Sequence, residues 1–114
     1  MEKIALYEKI VIELLNALAT DSQVQDEELH DEILIDKQKR HYFLLWLGFD
    51  VQGSFSDKIL IHFQIKENGK IWILANWTEN LLAVLLMEKG VAQKDIVIGF
   101  RPKNVRMTTK YAVN

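Results

Sequence analysis

The stretch KILIHFQIKENGKIWIL, residues 58–74, restricts the fold more than any other part of the chain. Ile59, Ile61, Phe63 and Ile65 alternate with Leu60, His62, Gln64 and Lys66, the period of two that marks a strand with unlike faces. Asn68-Gly69 can accept the positive φ angles of a type I′ turn, so the chain is expected to fold straight back as Lys70 to Leu74. An antiparallel hairpin therefore stands at the centre of the fold.

The other elements are arranged around that hairpin. Ile4, Tyr7, Ile10, Val11, Leu14, Leu15 and Leu18 follow the spacing of an amphipathic helix, which should end near Thr20. Leu29, Ile33 and Ile35 alternate with polar neighbours and read as a strand, with the charged DKQKR as its hairpin loop. In HYFLLWLGF, residues 41–49, both alternating sets are apolar, the pattern of a strand covered on both faces. The first helix supplies one cover; the sequence does not name the second. After the loop DVQGSFSD and the central hairpin, Thr78 stands where a helix N-cap should be, with a helix from Glu79 to Lys89. Gly90 can supply the left-handed residue after its end, with Val91 folding back on the last turn. A short strand from Ile96 to Phe100 then stops at Pro102. The expected fold is α+β: an N-terminal helix, a largely antiparallel sheet of four to five strands with a central Asn-Gly hairpin, a second helix and a final short strand. With 114 residues, residues 1–114 are expected to form a single domain.

Apolar residues make up 49% and charged residues 26%, values of a folded chain and not a disordered one. There is no cysteine, which excludes disulfides, thiolate metal sites and a cysteine nucleophile, and fits a reducing cytoplasm. Glu2, Glu8 and Glu13 interrupt the apolar residues of the N-terminal stretch, so it does not read as a signal peptide. The longest apolar run, Leu81 to Met87, is far shorter than the roughly 20 residues that cross a bilayer. A cytoplasmic protein without a membrane anchor is the expectation.

Reactive chemistry is hard to find. No glycine loop for phosphate and no cofactor motif occurs. His30, His41 and His62 fall in different strands without an HxH or HxxxH pair, which argues against a metal. Ser54 and Ser56 lack the strained elbow of a catalytic serine and read as turn residues. Asp26, Glu28 and Glu32 could share one side of a strand, where unneutralised acids discourage strand addition. Trp46 and Trp72 alternate with apolar residues and read as core. No catalytic, cofactor or metal residue is assigned, and the protein is not expected to be an enzyme.

Two surfaces remain. The helix within ENLLAVLLMEKG is apolar on all sides, whereas a helix on a small domain normally shows one face to water. Either it is sandwiched inside the monomer, or its outer side meets another chain through Leu81, Val84 and Leu85, with Trp77 just before it. Charge supplies the second surface. Residues 1–57 hold twelve acids against five bases, and residues 58–114 four acids against nine bases. No acid follows Asp95, while Arg101, Lys103, Arg106 and Lys110 do, a segment that could contact DNA phosphate.

A resemblance sharpens these expectations. Asp36, His41-Tyr42 and Gly48-Phe49 in the first half are followed in order by Gly69-Lys70-Ile71-Trp72-Ile73, Thr78-Glu79, Gly90, Asp95-Ile96-Val97, Phe100-Arg101, Pro102, Arg106, Thr108 and Tyr111-Ala112-Val113. With these residues nearly the whole chain resembles the XisI family, controlling factors for excision of the fdxN element from cyanobacterial chromosomes. The resemblance implies an accessory role beside a site-specific recombinase and a nuclease-like companion factor, XisH; it carries over no catalytic residues. A homodimer, the companion, or both are the expected partners; direct DNA binding or regulation of the companion's nuclease are the alternatives. Two departures bear on this. Asn76-Trp77-Thr78-Glu79 stands where the family usually has DGTE, and Leu81, Val84 and Leu85 stand where family helices carry polar residues.

Overall fold

The structure, a computed structural model, describes residues 2–20 and 28–114. Helix α1 spans Glu2–Thr20, followed by β1 (Leu29–Asp36), β2 (His41–Phe49), β3 (Phe55–Ile65), β4 (Ile71–Asn76), α2 (Leu82–Glu88), a 3-10 turn at Gln93–Asp95, β5 (Ile96–Ile98) and the short α3 (Lys103–Arg106). The strands lie in one sheet in chain order; the first four are antiparallel, and β5 runs parallel to β4. A parallel neighbour needs a crossover, and α2 supplies it. The α+β expectation holds in element order and in sheet type. Asp26 lies outside the described residues.

The core forms on one face of the sheet. Tyr7, Ile10, Val11, Leu14 and Leu15 of α1 are buried against Tyr42, Leu44, Ile61, Phe63, Ile65 and Ile71. Helix α2 adds Leu82 and Leu86, one turn apart on its inner side. A buried polar cluster fastens α1 to the far end of the sheet: the Tyr7 hydroxyl donates to Asp95 Oδ2 at 2.6 Å and Lys3 Nζ donates to Oδ1 at 3.0 Å. Burial pushes the Asp95 carboxyl up, but the hydrogen bonds from Tyr7 and Lys3 and the charges of Lys3 and Lys94 outweigh it, leaving the group below the usual range.

Three local expectations are corrected. Of Asn68 and Gly69, only Gly69 has positive φ, at 82°. Gly69 N–H donates to Lys66 O at 2.9 Å and Lys66 N–H to Lys70 O at 3.0 Å, so the hairpin closes through a three-residue loop and not a type I′ turn. Ile59 does not share a face with Ile61. The register passes from Leu44↔Ile61 to Leu45↔Ile59, leaving Leu60 as the extra residue of a β-bulge that turns Ile59 to the opposite side. Thr78 does not cap α2, which begins at Leu82 without a side-chain cap. Its hydroxyl donates to Asn76 Oδ1 at 2.6 Å and accepts from the Asn80 N–H at 3.2 Å, while Asn76 Nδ2 donates to Asn80 O at 2.8 Å. These short polar side chains compete with helical bonding and delay the helix by one turn. Its end follows expectation, with Val91 N–H returning to Leu86 O at 3.0 Å.

Candidate partner-binding surface

Among the described residues no three His, Asp or Glu side chains come together as a possible metal site. His41 and His62 do meet: His41 Nδ1 lies within hydrogen-bond distance of His62 Nε2, at 2.8 Å, and Phe43 stacks 4.2 Å from the His62 ring. Burial, and then the neighbouring His41, push His62 below its ordinary value. Ser56 pairs with Gly48 toward the helix side, whereas both histidines face the other side, so Ser56 does not meet them. Trp72 packs between the Lys66 ammonium at 4.5 Å and the Arg106 guanidinium at 5.1 Å from its ring.

Around α2 the expected contact residues divide. Leu81 and Trp77 project to solvent, at 72% and 80% exposure, and Val84 is exposed beside them. Leu85 is half-buried and packs on the core, which makes it a boundary residue of this surface and not its centre. Leu81 and Val84 line a groove of about 240 Å³ together with Phe100 and Tyr111. Trp77 and Arg101 line an adjoining groove of about 280 Å³, and the two grooves share Asn76 and Phe100. Phe100 was legible only as the end of the last strand; its exposure follows because β5 stops at Ile98. The outer side of α2 is thus not enclosed by any described part of the chain.

The basic segment divides as well. Arg101, Lys103 and Lys110 are exposed. Arg106 is half-buried: its Nε donates to Val113 O and its Nη1 to Arg101 O, both at 2.7 Å. Two of the five guanidinium donors and one ring face are therefore committed to holding the segment on β4 and β5.

A further apolar surface lies on the sheet face opposite the helices. Leu34, Phe43, Leu45, Leu47, Phe49, Phe55 and Ile59 all point there by register, and no described helix lies over them. The doubly apolar pattern of β2 signalled this face, Phe49 included, yet Phe55 fell in the stretch read as a loop and gave no periodic signal, although β3 begins there.

No curated protein matches the chain. Two crystal structures from Anabaena variabilis ATCC 29413 do. A XisI-like protein is 32% identical over 97% of this chain and 99% of its own, with a TM-score of 0.89. The fdxN element excision controlling factor XisI is 28% identical over 98% of this chain and 99% of its own, with a TM-score of 0.82. The family model for XisI protein matches residues 1–113. A shared fold over the full length and a family match over nearly every residue lead to one assignment: the chain belongs to the XisI family.

Proposed function

We propose that the chain is a non-enzymatic accessory factor in excision of a DNA element, acting by contact with a companion protein of the XisH kind. The observation that carries this reading is the cluster of Trp77, Leu81, Val84 and Phe100 around two joined grooves. Hiding a large side chain is worth roughly 1.5–3 kcal/mol before the cost of association, so such a cluster has a use beyond folding. The related Anabaena protein is named an excision controlling factor, which supports an accessory role.

Co-expression with the companion and capture on a tag tests the proposal. Leu81→Asp combined with Trp77→Ala should abolish capture while the chain stays folded, because both side chains leave the core untouched. Full capture by that variant would remove the basis of the reading. The second reading, DNA contact, rests on the exposed Arg101, Lys103 and Lys110, with Arg106 positioning the segment. It requires retention on duplex DNA that falls steeply with salt.

A further inference from the structure

The sheet face opposite the helices has a pattern of charge as well as of apolar area. Its apolar centre lies on β2 and β3, with Asp57 beside Leu47 toward one end, and its two borders differ in sign. Asp36 and Glu32 stand on β1 at the levels of His41 and Leu45. The level of His41 continues through Gln64 to Trp72, which carries Lys66 and Arg106 over its ring. The level of Leu45 continues through Ile59 to the Leu60 carbonyl that accepts the Trp77 N–H, and Trp77 shares a groove with Arg101. Asp36 therefore has two bases at its own height on the far border, and Glu32 has Arg101 across a groove that reaches its level.

We infer that this face joins two copies of the chain about a twofold axis running along the strands. Such an axis preserves height and exchanges borders. It sets Asp36 of each copy opposite Lys66 and Arg106 of the other, and Glu32 opposite Arg101. A twofold axis across the strands would place acid on acid instead, so the charge pattern selects one axis and a self-complementary contact.

The area agrees. Leu34, Phe49, Phe55 and Ile59 are 53%, 46%, 57% and 44% exposed, which leaves on the order of 400 Å² of apolar surface at ~150–250 Å² per large side chain. A stable interface buries about 800 Å² per partner, slightly more than half of it apolar. Two sheets packed about 10 Å apart would give a sandwich with the helices outside.

Sedimentation equilibrium of the full chain, with circular dichroism as the folding control, tests the inference. The wild type should show a mass of two 13.3 kDa chains. Leu34→Glu with Phe55→Glu should give a folded monomer. Glu32→Lys alone, a change that leaves the core intact, should weaken the dimer about tenfold, and adding Arg101→Glu should restore most of it. A monomeric wild type at about 100 μM, a dimer indifferent to the sheet variants, or no rescue by the double charge swap would each overturn the inference. So would sheet variants that abolish companion capture by a monomeric wild type, since the companion would then own this face. The companion contact fails separately, because Leu81→Asp is read in capture and not in mass.

Discussion

Tyr42 and Phe43 are adjacent on β2 and differ by one hydroxyl, yet they experience opposite surroundings. Tyr42 is buried beneath α1, where its hydroxyl donates to Glu8 Oε2 at 2.6 Å; burial, and then that bond, raise its ionisation well above the ordinary value for tyrosine. Phe43 faces away from both helices and rests on His62. The two faces of the sheet repeat this contrast along their length. Apolar composition alone does not say which residues make a fold stable; the covered face does that, and the open face is available to another molecule.

Substitutions can break or sharpen the contrast. The largest effect belongs to Phe63→Ala on the covered face, expected to lower unfolding free energy by about 3–5 kcal/mol in urea denaturation. Asp95→Ala should follow, at about 2 kcal/mol, since it leaves the Tyr7 hydroxyl and the Lys3 ammonium without their acceptor. The same carboxylate sets a pH dependence. Its folded value lies below 3.8, so its contribution is complete above that pH and is lost as the pH falls further, a slope that Asp95→Asn should flatten. Phe55→Ala on the open face should cost less than about 1 kcal/mol when measured on the dilute monomer. The smallest effect comes from His62. Because its folded value is lowered from 6.5, the unfolded chain takes up the proton first, and stability declines as pH drops below 6.5. Comparing urea midpoints at pH 7.5 and 5.5, with His62→Gln as the control, reads that term.

Much of this was legible in the sequence, and the gaps have local causes. The spacing in α1 named its buried side because every member of that stripe meets the same sheet. The two-sided pattern of β2 announced a second surface without saying what lies against it. What periodicity could not reveal was the extra residue at Leu60, which breaks the count on which periodicity depends and moves Ile59 outward. Nor could it weigh Thr78 as a cap against the bonds offered by Asn76 and Asn80. On the candidate surface Trp77, Leu81 and Val84 were legible because a helix apolar all round has more grease than one sheet can take. Phe100 became part of it only through the early end of β5.

The bulge has one more consequence. The Leu60 carbonyl, at the residue left unpaired on the β2 side, accepts the Trp77 N–H at 2.8 Å beside the Ile61↔Asn76 pair that ends the β3–β4 ladder. Ile59, on the open face, is joined to Leu60 by a single peptide link. The open face at Ile59 and the anchorage of Trp77 thus hang on adjacent residues of one bulged strand, so a deletion that restores the even count at Leu60 would displace both at once.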